Sequence, residues 1–191
     1  MWIFYTIAFT NFNMTSKTGL PNKIIITGAS AIIEQIQVFN HLHDFDNFTM
    51  CKDDINKDTQ RYVYDSDWYA TYMYTSDGVK RLVAMTCVNN SHPEFEEDNI
   101  KSIHLSAIEV DPKYRDSELE IPLHAFSKTI RALIMSAKKA GYNRMTLQAK
   151  DLDKVPKYEH LDFKILDLSL YDGYNENLDF YNKHPVMYID F

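Results

Sequence analysis

The chain has 191 residues, 45% of them apolar and 14% aromatic, enough to bury a full core in one domain or in one domain with an extension. Its net charge of −7 and isoelectric point near 5.4 give no general attraction to phosphate backbones or anionic membranes, so neither nucleic acid nor a membrane is an expected partner. Cys51 and Cys87 stand far apart and match no metal or redox spacing, which fits a reducing, cytoplasmic setting.

Trp2 to Phe9 is an apolar run too short to span a bilayer. No Lys or Arg precedes it, and Thr10, Asn11 and Asn13 follow where a signal peptide would place small cleavage-site residues. It reads as an added edge strand or a packing arm. Residues 1–22 are accordingly assigned to an N-terminal extension and residues 23–191 to a domain. Lys23 to Thr27 is a short β-branched strand, with Gly28 and Ser30 supplying a turn and a helix cap. The spacing of Ile32, Ile33, Ile36 and Phe39, with Asn40 and His43 on neighbouring turns, predicts a helix packed on a sheet.

Asp44 to Lys57 is polar and irregular. Trp68 to Tyr74 and Val79 to Val88 follow as two strands, joined through Ser76-Asp77-Gly78, where Gly accepts the positive φ of a hairpin turn. After an acidic loop, Asn89 to Asn99, the strand Ile103 to Val110 changes phase. Ile103, Leu105 and Ala107 share one alternation, Ile108 and Val110 the other. Either one extra residue near Ala107 makes a β-bulge or the strand is buried on both faces.

The clearest periodicity is Leu119, Leu123, Phe126, Ile130, Leu133, Ala137 and Ala140, a long helix with Lys138 and Lys139 in its last turn and Gly141 at the left-handed position beyond it. A strand, Arg144 to Ala149, follows. Two terminal strands near Phe163 to Tyr171 and Val186 to Phe191 flank a polar loop, Asp172 to Asn177. His41 and His43 are two apart and cannot share a helix face, so no metal site is expected. No nucleophile elbow, Walker loop or dinucleotide fingerprint is present. The aromatic segments Tyr62 to Tyr74 and Asp179 to Tyr188 lack the basic interleaving of a single-strand nucleic-acid platform.

From Ser102 to Phe163 the residues resemble the GNAT acetyltransferase superfamily. Val110-Asp111-Pro112-Lys113-Tyr114-Arg115 has the frame of that family's V-x-P-x-x-R segment, and Tyr158-Glu159-His160-Leu161-Asp162-Phe163 that of its Y-E-x-L-G-F motif. The resemblance implies an α/β fold with a mixed, mostly antiparallel central sheet flanked by helices. For an active enzyme it implies acetyl-CoA held by Ile108, Val110, Arg115 and Ser117, with Tyr158 as the acid; Glu109 is a candidate base, with His104 as an alternative.

The chain departs from the family in the loop, which runs Arg115-Asp116-Ser117-Glu118-Leu119-Glu120. Family members carry R-x-x-G-x-G or A there, so that backbone N–H groups approach the pyrophosphate. Both glycine positions are glutamate here, and each carboxylate near a pyrophosphate repels it by about 1 kcal/mol per pair at 4 Å in water. Ser117 and Glu120 also fit a capping box, which would let the helix cap itself. Asp162 removes the glycine of the closing motif as well. Two readings follow. The first is a GNAT-fold protein without cofactor, working through a protein partner that meets the arm Trp2 to Phe9; GNAT-like proteins among tailed-phage products, including virion internal proteins, provide one setting. The second is an acetyl-CoA-dependent N-acetyltransferase acting on an amine.

Overall fold

A computed structural model of the chain describes residues 16–26, 31–36, 47–48, 51, 66–90, 100–119, 122–168 and 178–191. The arm Trp2 to Phe9, the turn at Gly28 and Ser30, and Phe39, Asn40, His41, His43 and Glu120 lie outside the described residues. Eight strands make one sheet: β1 (Lys23–Ile26), β2 (Ala31–Ile36), β3 (Ser66–Tyr74), β4 (Lys80–Asn90), β5 (Ser102–Val110), β6 (Arg144–Gln148), β7 (Lys164–Ile165) and β8 (Val186–Asp190). Their order is β1-β2-β3-β4-β5-β6-β8-β7. Only β5 and β6 run parallel. A parallel pair needs a crossover, which is the helix α1 (Ala125–Lys139). Two shorter helices, α2 (Val155–Glu159) and α3 (Leu178–Lys183), complete the mixed, mostly antiparallel architecture that the motifs imply.

One face of the sheet receives α1. Ile130, Leu133 and Ala137 pack there with Ile33, Tyr69, Leu105, Met145 and Leu147 in the main core. The Thr71 and Thr129 hydroxyls meet at 3.0 Å across this interface, so neither is left unpaired in an apolar layer. A smaller cluster, Phe48, Cys51, Trp68, Met85, Cys87 and Ala107, lies on the other face. α1 ends as its sequence foretells. Gly141 has φ 82, its N–H donates to the Lys138 carbonyl at 3.1 Å, and Tyr142 N–H donates to that of Ala137 at 3.0 Å, a full Schellman closure. Gly78, at φ 74, closes the β3–β4 hairpin as expected.

Three expected elements come out differently. Ile32, Ile33 and Ile36 lie in β2, not in a helix. Spacing of three gives one face to a helix but two to a strand: Ile33 enters the α1-side core and Ile36 packs on the opposite cluster. β-branched residues and two antiparallel neighbours, β1 and β3, favour the strand. The second correction is α1, which begins at Ala125, so Leu119 and Leu123 precede it. Leu123 still packs with Val110 and Tyr114 around buried Ala125, which is why the stripe looks continuous. The third is the expected strand from Phe163. Among the described residues the strand is Lys164–Ile165, extended by one bond from Leu166 N–H to the Val186 carbonyl at 2.8 Å, and buried Leu166 and Leu168 then serve a small cluster with Val186.

The described chain starts at Ser16, on the extension side of the expected boundary. Asp67, 2% exposed, pins it there. Its carboxylate accepts from Ser16 Oγ (2.8 Å), Lys17 N–H (3.1 Å), Thr18 N–H (2.8 Å), Thr18 Oγ1 (2.6 Å) and Gln35 Nε2 (2.9 Å). A buried carboxylate is tolerated only with such complete satisfaction.

Candidate functional site

β5 is where the fold opens. Its parallel ladder with β6 covers Ser102 to Leu105 against Arg144 to Leu147 and then stops. On its other edge β5 stays paired with β4 to Val110, with a register shift that leaves Ser106 as the extra residue between Leu105 and Ala107. This is the bulge anticipated near Ala107. It moves Ile108 onto the α1 face with Leu105 and turns Ala107 to the opposite cluster. The Ser106 hydroxyl donates to Asn89 Oδ1 at 2.8 Å and fixes the kink. The two-sided burial of Ser102 to Leu105 is present too, so the alternatives coexist on successive halves of one strand.

Asp111 N–H donates to the Val83 carbonyl at 3.0 Å. With the register Val110 to Ala84 and Glu109 to Met85, Glu109 and Ala107 therefore exchange bonds with β4. Ile108 and Val110 aim their N–H and C=O groups at the side that β6 has left. No described strand pairs with them there. Two of the four expected cofactor residues thus share an open backbone edge that an extended amide-bearing chain could meet.

The loop after β5 is built differently. Asp111, buried, accepts from Lys113 N–H at 2.9 Å and from Asn47 Nδ2 at 3.1 Å, and starts a tight 3₁₀ turn at Pro112–Tyr114. A second such turn, Asp116–Glu118, follows. Tyr114 N–H donates to the Asp111 carbonyl at 2.8 Å, and Glu118 N–H, at the first glycine position, donates to the Arg115 carbonyl at 2.9 Å. Arg115 and Ser117 are exposed, and the Ser117 hydroxyl faces Glu118 Oε1 at 3.3 Å. The expected capping box is therefore displaced. Self-capping is done by Asp116, whose Oδ1 accepts His124 N–H at 2.8 Å and whose Oδ2 lies 3.3 Å from His124 Nδ1. His124 is the N-cap of α1 and stands at φ 54, ψ 36. Asp116 is the residue that sequence reasoning missed. The stripe that includes Leu119 and Leu123 places the helix start too early for this role to be seen.

Tyr158 sits on α2, half-buried between Phe126 of α1 (centroids 5.5 Å apart) and Phe163 (6.1 Å). Burial pushes its hydroxyl up to about 12, so it holds its proton at neutral pH, as an acid must. Ile108 packs on the same core cluster. Glu109 points to the other face, where Oε2 accepts Cys51 N–H at 3.0 Å. The candidate acid and base are thus on opposite sides of the sheet. His104 is buried with Nδ1 2.9 Å from Thr146 Oγ1, a hydrogen-bonded core histidine. Asp162 stands at φ 69, so the closing motif keeps a left-handed residue without its glycine.

No family model matches the chain, and no curated protein does. Solved structures do match. A KacTA–DNA complex has TM-score 0.51 at 16% identity, covering 84% of this chain and 92% of that one. AtaTR bound with AcCoA has TM-score 0.51 at 15% identity, covering 84% and 93%. An acetyltransferase from Streptococcus agalactiae has TM-score 0.50 at 13% identity, covering 85% and 99%. The fold is that of the GNAT acetyltransferases. The KacTA likeness runs against the expectation of no nucleic-acid partner, since a protein of this fold stands there in complex with DNA, and net charge alone does not exclude one here. No helix among the described residues is long and apolar enough to cross a membrane.

Proposed function

We propose that the chain is a GNAT-superfamily member that works through its surfaces, as a structural or protein-interaction component, with its pyrophosphate loop closed by its own groups. The observation that carries this reading is the Glu118 amide. At the position where the family presents a free N–H beside glycine, this amide is turned to Arg115, while Asp116 takes the amide of His124. A pyrophosphate arriving there would meet two carboxylates and donors already engaged. A tailed-phage particle is the setting the motif resemblance suggests, and mass spectrometry of purified particles tests it.

A second reading, an acetyl-CoA-dependent N-acetyltransferase acting on an amine, is favoured by the open edge at Ile108 and Val110 and by the protonated Tyr158. In it the amine nitrogen would form the new bond to the acetyl carbonyl as the thioester C–S bond breaks; the backbone edge would hold the pantetheine amides, Tyr158 would protonate the departing thiolate, and Glu109, on the far face, would accept the amine proton by way of water.

Calorimetric titration of acetyl-CoA separates the two. The native chain is expected to bind no more tightly than millimolar. Asp116→Ala with Glu118→Gly is expected to gain about thirtyfold, from about 1 kcal/mol for each carboxylate removed. Micromolar binding by the native chain would replace the first reading with the second.

A further inference from the structure

At the other end of the sheet, β1 is the outermost strand among the described residues. Gln35 N–H donates to the Asn22 carbonyl at 2.8 Å. With the register Ile24 to Ile33 and Ile26 to Ala31, residues 22, 24 and 26 therefore bond to β2. Lys23 and Ile25 turn their N–H and C=O groups outward. Beside this edge lies an open groove of about 430 Å³. Ser136, Lys139 and Ala140 of the α1 end form one wall, and Gly19 and Pro21 form part of the other. Ile24 packs against the core below it.

Two features distinguish this edge from a guarded one. Natural edge strands are commonly protected by an outward charge. Here Lys23 is tied across the ladder to Glu34 at 3.1 Å, and Ile25 is left 69% exposed. The groove is also positive in a chain of net charge −7. Lys139 on its helix wall and the adjacent Lys138 have no ion-pair partner among the described residues.

We propose that this groove receives an extended acidic segment of a partner protein, which adds a strand to β1 through Lys23 and Ile25 and sets a carboxylate against Lys139. Main-chain bonds supply the affinity of such strand addition, and side chains at alternate positions supply the selectivity. The proposal names the surface for the interaction role above and rests on that reading. Its test does not involve the loop, so the two fail separately.

The probes are the peptides acetyl-Glu-Val-Glu-Val-Glu-amide and acetyl-Lys-Val-Lys-Val-Lys-amide, titrated into the isotope-labelled full chain while the amide signals of Lys23 and Ile25 are followed. The acidic peptide is expected to shift both signals and to bind about tenfold more tightly than the basic one. Ile25→Pro removes the outward N–H along with an exposed side chain and should weaken binding about tenfold, the worth of roughly one main-chain hydrogen bond. Lys139→Glu should weaken it at least as much. Absence of binding, equal binding of the two peptides, or unchanged affinity in Ile25→Pro would overturn the proposal. So would Lys23 and Ile25 amides already protected from exchange in the free protein, which at all concentrations would assign the edge to the chain's own residues and at high concentration only to a second copy.

Discussion

Beyond Leu105, β5 keeps one edge unpaired with any described strand, with Ile108 and Val110 aimed into the gap left by β6. In the loop that follows, the amides of Lys113, Tyr114 and Glu118 all find partners within the loop itself. The two regions meet at Asp111, yet one is an open strand edge and the other a pair of 3₁₀ turns bonded within itself. The gap is set by packing: a bulge, two apolar faces and a helix stacked on one of them. It persists as long as the core does. The loop is set by local competition for hydrogen bonds, which a few side chains can redirect without disturbing any strand. Sheet and loop geometry can therefore vary independently within a few residues.

The severest way to break the packed half is to insert one alanine after Ala107. Accommodated in a regular strand, the added residue would make Ile108 to Val110 exchange faces relative to Leu105, sending Glu109 into the α1-side core and Ile108 and Val110 to the other side. Burial of an unpaired carboxylate together with lost apolar contacts is expected to cost about 5 kcal/mol or more. Urea denaturation checks it, and a near-native midpoint would show that the strand absorbs the added residue without exchanging its faces.

A smaller effect is expected where the halves touch. Phe126 belongs to the first turn of α1, just past the Asp116 cap, and its ring lies on Tyr158. Phe126→Ala should cost about 2–3 kcal/mol, the lower range for a partly buried phenylalanine, and should bring the Tyr158 transition down from about 12 toward 10. The sign of the linkage follows. The folded hydroxyl titrates above the unfolded one, so its contribution to stability is intact below about pH 10 and is lost as pH rises toward about 12. Burial also holds Tyr69 and Tyr142 up, so the spectrum is read as native minus Tyr158→Phe. An unmoved transition in Phe126→Ala would uncouple loop and acid.

The sequence revealed what packing imposes and missed what hydrogen bonds decide. The phase change in β5, the α1 stripe and the Gly141 closure were legible because apolar periodicity and positive φ leave marks on residue type. The β2 strand was misread because three isoleucines satisfy a helical spacing and only neighbouring strands break the tie. The start of α1 was misplaced because Leu123 packs inward from an irregular segment as well as it would from a helix. Nothing in the run Asp116 to His124 indicates that the aspartate, not Ser117, takes the cap; that depends on His124 adopting φ 54, a conformation few non-glycine residues enter. Glu109 lies on the bulged strand, and the bulge that opens the strand also turns Glu109 away from Tyr158.

The smallest expected effect sharpens the comparison most. Among the described residues two family glycine positions are occupied by acids, yet with opposite structural outcomes. At Glu118 the backbone closes into a 3₁₀ turn. At Asp162 it keeps φ 69, with its N–H on the Glu159 carbonyl at 2.9 Å and Phe163 N–H reaching back to Tyr158 at 3.2 Å. The left-handed conformation costs an L-residue about 1–2 kcal/mol, and less for aspartate than for most. Asp162→Gly relieves that strain but also gives the unfolded chain more freedom, so the net gain should be about 0.5–1 kcal/mol. In a domain of this size that is a rise in Tm of about 1–4 °C. Asp162→Ala should lose stability instead, since alanine keeps the strain without the short polar side chain that eases it. A scan of the three proteins decides the point. If glycine gains and alanine loses, the closing motif is held in its geometry by Leu161 and Phe163, both buried on either side of the turn, against the preference of its own residue. The loop, with no buried residue from Pro112 to Glu118 to hold it, had no such constraint and followed its side chains.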